Sequence, residues 1–370
     1  MNSHAGAVAR RLERVRAELA ELDLEGLLVS RLPNVRYLTG FSGSNAWLLI
    51  DATGATLLTD GRYGQQAEEE LPRGAGFEFL IAPDGVLGEL VVEQAKRQSS
   101  GSRFGFEGRH LSFAEWERLR DVSLAVEWVA VSGLVEGVRA VKEEEEIAAI
   151  ETAARIAATA LAETVTLVEP GVREADIASE LDYRMRRLGA QRPAFETIIA
   201  SGARSALPHA ATSDRSVREG EFILCDFGAH WRGYCSDMTR TFVVGEAETK
   251  QREVYELVLA AQSAARSALR AGVSGAEVDA MARQVFAEAD VEERFVHSTG
   301  HGLGLEVHED PRLGRRSEDR LESNMVVTVE PGLYFPGWGG VRIEDALVVT
   351  EDGPRALVDL EASELQALPL

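Results

Sequence analysis

Two aspartates in neighbouring strand-like runs, Asp226 and Asp237, constrain the fold of this chain more than any other feature. A hairpin centred on the stretch between them would place the two side chains roughly opposite each other on one face, with Cβ atoms about 5 Å apart. Like charges at that distance within apolar strands repel and cost stability. A bound divalent cation would remove this conflict, and the alternative is that both carboxylates lie exposed on a loop or an edge strand. The predicted strands are Phe222–Phe227 and Cys235–Phe242, with Gly228–Tyr234 as the turn.

Three further residues of ligand type follow at strand-like positions and favour the cation. His301 lies between glycines, which allow close backbone approach, and Glu330 ends an apolar run just before a Pro-Gly pair. Glu344 lies in a strand-like run two residues after Arg342, so these two side chains share a face. Four carboxylates and one imidazole suit hard or borderline ions such as Mn²⁺, Co²⁺ or Zn²⁺. Two such ions, bridged by carboxylates about 3.5–4 Å apart, would acidify a shared water and form a hydrolytic site.

The set Asp226, Asp237, His301, Glu330 and Glu344, in this order and context, resembles the five metal ligands of the M24 metallopeptidases. The surrounding motifs are similar to those of the Xaa-Pro branch, aminopeptidase P and prolidase, whereas methionine aminopeptidases lack the arginine before the last ligand. The resemblance covers essentially the whole chain. It implies two divalent metal ions, with Mn²⁺ preferred over Co²⁺ or Zn²⁺, and a homodimer. The motifs are PHA (Pro208–Ala210), HSTGHGLG (His297–Gly304), VHEDP (Val307–Pro311), VEPGLY (Val329–Tyr334) and GGVRIED (Gly339–Asp345).

The composition argues against several classes of partner. The 370 residues suffice for two or three domains, and the formal net charge of −22 argues against nucleic acid or an anionic membrane as partner. No apolar run approaches the length of a membrane span, and the N-terminal stretch has no hydrophobic signal region. A cytoplasmic location is therefore expected. Cys225 and Cys235 are interpreted as small core residues and not as a disulfide framework.

Residues 1–135 are predicted to form an α/β domain. The helix Val8–Leu22 has apolar residues at helical spacing, and the alternation of strand-like and helical runs indicates a mixed sheet covered by helices. The resemblance implies an N-terminal domain of the creatinase/prolidase type. The predicted strands are Gly26–Ser30, Ala46–Ile50, Ala55–Thr59, Phe77–Ile81, Arg103–Phe106 and Ala125–Val131, and the other predicted helices are Tyr63–Glu70, Val86–Arg97 and Phe113–Arg120.

Two glycine-rich and aromatic segments of this domain, Asn34–Asn45 and Thr59–Tyr63, resemble stretches in the N-terminal domain of aminopeptidase P. Ordinary turn chemistry is the simpler explanation of both segments. Our hypothesis is that some of their side chains help to close a substrate cleft, including that of a partner subunit. The candidates are Arg36, Tyr37, Asn45 and Arg62.

Residues 136–370 are predicted to form the catalytic domain. A long helix starts after Lys142, with glutamates at the end where the helix dipole favours negative charge. The stretch Glu169–Ala178 is echoed by Arg270–Ala280, and in each copy a helix, a Gly-Val turn and a second helix precede two strand-like runs with acidic residues. This repeat agrees with the pseudo-twofold pita-bread fold that the resemblance implies. The metal centre would then lie where the two halves join.

Histidines near the predicted ligands are candidates for substrate binding, because four of the seven histidines lie in motifs that also carry ligands. By resemblance, His209, His297 and His308 line the substrate site, and His209 and His308 contribute to catalysis. His308 would hydrogen-bond the peptide carbonyl and shuttle a proton, since imidazole titrates near neutral pH. The histidines interpreted as surface residues are His4, His110 and His230, the last in the predicted turn.

Arg342 and Phe195 complete the predicted substrate site. Arg342 would form a charge-assisted pair with a substrate carboxylate or with a metal ligand. The alternative is a structural ion pair from Arg342 to Asp345 or Glu344. By resemblance, Phe195 and the histidines would flank a shallow pocket for a proline ring.

The predicted function is that of a Xaa-Pro aminopeptidase, which releases the first residue from peptides whose second residue is proline. By resemblance, Asp226 holds one metal, His301 and Glu330 hold the other, and Asp237 and Glu344 bridge them. A bridging hydroxide would attack the carbonyl before proline, and Glu330 would pass the proton of the water to the prolyl nitrogen. A Xaa-Pro dipeptidase is the first alternative. A metal-free hydrolase or binding scaffold of the same fold is the second.

Overall fold

The computed structural model describes residues 2–72, 76–95, 97, 101–122, 126–358 and 363–369. The chain forms two compact units, residues 1–139 and residues 140–370. Both units combine helices with sheets, and the second contains an internal repeat, so the predicted α/β class is confirmed. Within the described residues, every helix is too short or too polar to cross a membrane.

The first unit is built on one six-stranded mixed sheet, as predicted. Its elements are α1 (Asn2–Glu21), β1 (Gly26–Val29), α2 (Leu32–Thr39), β2 (Ala46–Asp51), β3 (Ala55–Asp60), α3 (Gly64–Glu70), β4 (Phe77–Ala82), α4 (Leu87–Ala95), β5 (Ser102–Glu107), α5 (Phe113–Val122), β6 (Val126–Val131) and α6 (Leu134–Ala140). The strand order is β4-β3-β2-β1-β5-β6, in which β2 is antiparallel to both neighbours and the other pairs are parallel. Helix α1 buries Val8, Leu12, Val15 and Leu19, the apolar stripe that its sequence predicted. Ala125, the first residue of a predicted strand, and Lys96, the penultimate residue of the predicted helix Val86–Arg97, lie outside the described residues.

The residues hypothesised to close a substrate cleft are largely engaged within the first unit. Tyr37 is only 1% exposed and lies under the guanidinium of Arg11, so the cleft hypothesis is wrong for this residue. Asn45 donates to Asp60 at 2.6 Å, and Arg62 donates to both oxygens of the same carboxylate at 2.9 Å. One aspartate therefore ties the two glycine-rich segments together, as ordinary turn chemistry predicts.

The second unit contains one motif twice, a helix pair followed by three antiparallel strands, which belong to a four-stranded sheet in the first half and a five-stranded sheet in the second. The elements of the first half are α7 (Glu144–Thr164), α8 (Glu174–Arg187), β7 (Arg192–Pro193), β8 (Ile198–Ser201), β9 (Phe222–Phe227), β10 (Ala229–Trp231), β11 (Tyr234–Cys235) and β12 (Met238–Val244). Those of the second half are α9 (Thr249–Ala268), α10 (Gly275–Glu288), β13 (Gly300–Gly302), β14 (Glu309–Leu313), β15 (Val326–Val329), β16 (Gly332–Phe335), β17 (Gly339–Arg342), β18 (Asp345–Thr350), β19 (Gly353–Ala356) and β20 (Ala367–Leu368). Strands β8-β9-β12 in the first half correspond to β13-β15-β18 in the second.

The Gly-Val turns of the two halves have the same backbone geometry. Gly171 and Gly272 adopt φ of 102° and 87°, which favours glycine. Their N–H groups donate to the carbonyls of Val217 and Leu321, at equivalent places in the two halves. The repeat seen in the sequence is therefore a repeat of structure.

The cores of the two halves meet at their shared boundary. One apolar cluster packs around α7 and α8, and another packs around α9 and α10. A further cluster joins Ile147 and Ile150 of α7 to Leu303, Val326 and Val348 of the second half. This junction packs α7 of the first half against β15 and β18 of the second half.

The hairpin that carries the two aspartates differs from the prediction. Asp226 lies opposite Thr239 and not opposite Asp237, which precedes β12. The predicted long turn is also wrong, because β10 and β11 continue the hairpin to a two-residue turn at Arg232 and Gly233, with φ of 50° and 93°. Gly228 is not a turn residue, since a Cβ there would lie 1.9 Å from the carbonyl oxygen of Ser236.

Candidate metal centre and active site

The five predicted ligands lie at corresponding strand ends of the two halves. Asp226 is near the end of β9, and Asp237 directly precedes β12. In the second half, His301 is on β13, Glu330 directly follows β15, and Glu344 directly precedes β18. Val329 is paired with Asp345, so Glu330 and Glu344 are the next residues along a matched strand pair.

The side chains of these residues converge. Nε2 of His301 lies 3.7 Å from Oδ2 of Asp237 and 3.3 Å from Oε1 of Glu330. One ligand atom each from Asp237, His301 and Glu344 lies within 4.8 Å of the other two. The structure therefore gathers carboxylates of both halves around one imidazole. Their assignment as metal ligands is still a prediction.

The electrostatics of this cluster fit a divalent cation. Burial, followed by repulsion from neighbouring carboxylates, raises the pKa of Asp237 and of Glu344 well above the usual values. Oε2 of Glu344 accepts from Thr239 at 2.6 Å, whereas its buried Oε1 has no hydrogen-bond partner among the described residues. An unsatisfied buried carboxylate oxygen is costly, and it is the kind of atom that coordinates hard or borderline cations. The donor set thus fits the metal ions that the sequence predicts.

The His301 ring is oriented for coordination. Its Nδ1 lies 3.0 Å from the carbonyl oxygen of Gly302, which can only accept, so Nδ1 carries the proton. Nε2 then faces the carboxylates with its lone pair free in the neutral ring. Fixing the tautomer through the second ring nitrogen is a common feature of histidine ligands.

Arg342 connects the cluster to its surroundings and is buried. Its Nη2 donates to Oδ2 of Asp226 at 2.5 Å, and Nε donates to the hydroxyl of Thr239 at 3.0 Å. Of the two predicted pairings, the structure shows the one with a predicted ligand. The alternative ion pair to Asp345 is wrong, because Asp345 pairs with Arg240 at 2.6 Å. Binding of a substrate carboxylate by Arg342 is still a prediction.

Tyr334 is a site residue that sequence reasoning missed. Its hydroxyl lies 2.8 Å from Nε2 of His297 and accepts from Nη1 of Arg342 at 3.0 Å. The other nitrogen of His297 lies 2.8 Å from the carbonyl oxygen of Ser298. Tyr334 therefore links His297 to the arginine that holds Asp226. It lies within the VEPGLY motif, but that motif alone does not reveal this contact.

The other histidines occupy contrasting environments. His308 lies edge-on to His301 with ring centroids 4.4 Å apart, and His209 is exposed on the loop between β8 and β9. Burial, followed by repulsion from His301 when that ring is protonated, lowers the pKa of His308. His230 is 8% exposed on β10, so its interpretation as a surface residue is wrong. In the first unit, His110 is exposed, as predicted, and the side chain of His4 lies outside the described residues. Phe195 lies beside Gly228, where a Cβ would be 2.9 Å from its ring.

Arg312 places a positive charge without an ion-pair partner among the described residues beside the cluster of predicted metal ligands. It lies on β14 directly opposite His301, and side chains of opposed residues in an antiparallel pair share a face. Its side chain is exposed and forms no ion pair with any carboxylate of the described residues. Sequence reasoning missed this residue, although it directly follows the VHEDP motif.

Comparisons with known proteins cover nearly the whole chain. Residues 148–351 match metallopeptidase family M24, and residues 11–141 match the creatinase/prolidase N-terminal domain. A Xaa-Pro dipeptidase from Pyrococcus furiosus is 37% identical over 354 residues, which cover 95% of this chain and 98% of the relative. The structure of a Xaa-Pro dipeptidase from Bacillus anthracis has a TM-score of 0.92 and 39% identity, covering 98% of this chain and 100% of the other. An X-Pro aminopeptidase structure from Thermotoga maritima has a TM-score of 0.88 and 35% identity, covering 96% and 99%.

Proposed function

The chain belongs to metallopeptidase family M24, and on that premise we propose that it hydrolyses Xaa-Pro dipeptides. The observation that carries the proposal is Arg312, an exposed cation opposite His301 without a carboxylate partner among the described residues. A guanidinium at that place suits the free carboxylate of a product-side proline. The names of the Pyrococcus furiosus and Bacillus anthracis relatives support the same choice.

The family acts with divalent metal ions, and we assign their binding to Asp226, Asp237, His301, Glu330 and Glu344. We propose that two ions bind and that Mn²⁺ is the preferred metal. When bound, such ions acidify a water and polarise the carbonyl of the scissile bond.

The protein groups around the metal centre would handle the substrate and its protons. Glu330 accepts the proton of the attacking water and delivers it to the prolyl nitrogen. His308 donates a hydrogen bond to the peptide carbonyl, and Arg312 binds the terminal carboxylate. His209 and Phe195 flank the proline ring, whose tertiary amide has no N–H and whose backbone is restricted.

A Xaa-Pro aminopeptidase is the second candidate and was the first choice from the sequence. The similarity to the Thermotoga maritima X-Pro aminopeptidase favours it. An aminopeptidase must bind substrates in which the peptide chain continues after proline. The proline of such a substrate has no free carboxylate, so a cation at that place would not improve binding. Peptide length therefore separates the two functions.

The deciding experiment compares a Xaa-Pro dipeptide with the matching Xaa-Pro-Xaa tripeptide, using protein loaded with Mn²⁺. We expect the dipeptide to have the higher kcat/KM. Arg312→Ala should raise KM for the dipeptide by roughly 10-fold to 100-fold, the range for a hydrogen bond to a charged group, and should change tripeptide cleavage little. Arg316→Ala, which removes another exposed arginine of the same segment, is the matched control.

Two results would overturn this proposal. A higher kcat/KM for the tripeptide than for the dipeptide would show that the protein is a Xaa-Pro aminopeptidase instead. Equal effects of Arg312→Ala and Arg316→Ala on the dipeptide would remove the carboxylate-binding role of Arg312. The homodimer that the family likeness implies is a separate part of the proposal, and light scattering after size exclusion measures it.

A further inference from the structure

Within the connection between β8 and β9, the loop of residues 201–213 carries His209 and is closed at its base by one carboxylate, Glu174, the first residue of α8. Oε1 of Glu174 accepts from the N–H of Ser201 at 2.8 Å and from its hydroxyl at 2.7 Å. Oε2 accepts from the hydroxyl of Ser213 at 2.6 Å and from its N–H at 3.2 Å. Glu174 has no exposed surface. The two ends of the loop thus meet on the two oxygens of a single buried side chain.

Arginines of the same loop region offset the negative charge. Nε of Arg204 donates to Oε2 of Glu174 at 3.2 Å, and another nitrogen of Arg204 donates to the carbonyl of Ala211. Nη1 of Arg215 donates to the hydroxyl of Ser201 at 2.5 Å. The carboxylate is therefore the centre of a hydrogen-bonded group that includes both ends and the interior of the loop. Buried charges that are paired and fully hydrogen-bonded hold one geometry.

The far side of the loop rests on the candidate active site. The hydroxyl of Ser205 accepts from the N–H of Gly340 on β17 at 2.8 Å. The carbonyl of Pro208 accepts from Nη1 of Arg342 at 3.1 Å, and Arg342 in turn holds Asp226. His209 follows Pro208 directly and is exposed. A shift at the base of the loop would therefore displace His209 relative to the predicted metal ligands.

The second half of the unit shows that the repeat itself does not require this carboxylate. The N–H of Glu174 donates to Arg215, and at the equivalent place the N–H of Gly275 donates to Asp319. Gly275 has no side chain, and a Cβ there would lie 2.0 Å from the carbonyl oxygen of Arg312. The same helix start and loop contact thus form with glycine. The hydrogen bonds of the Glu174 carboxylate are therefore not needed for the repeat and serve only the loop of the first half.

We propose that Glu174 is a positioning residue that sets the place of His209 for substrate binding. It acts through the loop and touches neither substrate nor metal. This inference rests on the proposed function, in which His209 flanks the proline ring. It assigns a substrate-site role to a residue at the opposite end of the loop from that site.

The test compares Glu174→Gln with a matched buried carboxylate in the first unit, Glu107→Gln. Glu107 also accepts from a backbone N–H and a hydroxyl of one serine, Ser30, and it is 8% exposed. In hydrogen–deuterium exchange, Glu174→Gln should speed exchange of residues 202–213 by about tenfold, and Glu107→Gln should leave that segment unchanged. Ser213→Ala, which removes one hydroxyl from one end of the loop, provides a milder variant if Glu174→Gln fails to fold.

Kinetics then separate positioning from general stability. Glu174→Gln should lower kcat/KM for a Xaa-Pro dipeptide by roughly 10-fold to 100-fold, mainly through KM, as expected for misplacement of a binding group. In a His209→Ala background the same substitution should have almost no further effect on kcat/KM, because both substitutions remove the same contribution, substrate binding by His209. Additive losses in that double-mutant cycle, or unchanged exchange of residues 202–213, would overturn the inference.

The outcome is separable from that of the proposed function. If the wild-type protein cleaves no Xaa-Pro dipeptide, the proposed function fails, and the cycle is then run on the substrate that is cleaved. Hydrogen–deuterium exchange of residues 202–213 needs no substrate, so it tests whether Glu174 closes the loop whether or not the proposed function holds.

Discussion

Arg342 and Asp226 form a buried ion pair between the two halves of the second unit, with Nη2 and Oδ2 separated by 2.5 Å. Their side chains are 4% and 13% exposed. Burial opposes the charge of Arg342, but Tyr334 and the surrounding carboxylates, Asp226 first among them, hold its pKa well above the usual value. Arg342 is thus a permanent cation that offsets part of the negative charge of the cluster.

Replacing this cation should destabilise the metal-free protein strongly. We expect Arg342→Met to lower the free energy of unfolding in EDTA by about 3–5 kcal/mol, because it leaves Asp226 buried without its partner. Mn²⁺ should restore part of that loss. Urea unfolding with and without Mn²⁺ measures both effects. The control is Arg184→Met, which breaks partly exposed ion pairs to Glu163 and Glu180 and should cost about 1 kcal/mol or less. Equal losses for the two variants would contradict the prediction.

Removing one carboxylate of the cluster should have opposite effects on stability and on metal binding. Because burial and the neighbouring carboxylates raise the pKa of Glu344, folding of the metal-free protein must either bury its charge or protonate it. Glu344→Gln removes that cost, so we expect the metal-free protein to melt several degrees higher, corresponding to about 1–2 kcal/mol. Mn²⁺ at a hundred times its Kd should stabilise the wild-type protein by about 2.7 kcal/mol and the variant far less. Calorimetry with EDTA and with Mn²⁺ provides the comparison, with the exposed Glu351→Gln as control. A full metal-induced gain in Glu344→Gln would exclude Glu344 as a ligand.

A second buried ion pair, between Asp279 and Arg283 of α10, supports the segment before His301. Asp279 accepts from the N–H and hydroxyl of Thr299 at 3.1 and 2.8 Å, and Arg283 donates to the carbonyl of His297 at 2.6 Å. Asp279→Asn should cost about 3–5 kcal/mol in urea unfolding, because it strands the buried guanidinium. Adding Arg283→Met should recover part of the loss. A double variant that is no more stable than Asp279→Asn alone would contradict this account.

The two cysteines should be unreactive until the protein unfolds. Burial raises the pKa of both thiols from 9.0 to about 12. Because the folded pKa is the higher one, the stability linked to these thiols is fully present below pH 9 and is lost as the pH rises towards 12. At pH 8 we expect no reaction of native protein with a thiol reagent such as DTNB, and reaction of both cysteines in urea. Ser267→Cys, at an exposed position, is the positive control. Rapid labelling of the native wild-type chain would refute the prediction.

The sequence was sufficient to identify the residues that converge, because chemical type and strand context are local properties. Asp237 and Glu344 each precede a strand that ends the same three-stranded motif, and the Gly-Val turns mark the start of both second helices. These signals repeat along the chain, so they predicted both the duplicated fold and the set of acidic residues. The comparisons confirm the family that these motifs indicate.

The strand register and the contacts between distant segments could not be predicted from such local sequence signals. Gly228 was interpreted as part of a turn, although glycine is required there because the carbonyl oxygen of Ser236, on the returning side of the hairpin, lies too close for a Cβ. The true turn at Arg232 and Gly233 places Asp226 opposite Thr239, two residues from its expected partner, so the residue types predicted the shared face but not the register. The contact of Tyr334 with Arg342 and the place of Arg312 beside His301 depend on pairing between segments, which residue types alone do not specify.

The division of the predicted ligands between the two halves of the second unit has a consequence for biogenesis. Asp226 and Asp237 are made early, whereas His301, Glu330 and Glu344 emerge only after the second helix pair has been synthesised. A nascent chain that ends before α9 carries only two of the five predicted ligands, both carboxylates, which are too few for high-affinity metal binding. On the proposed ligand assignment, complete metal binding would therefore follow synthesis of the second half and its packing against the first.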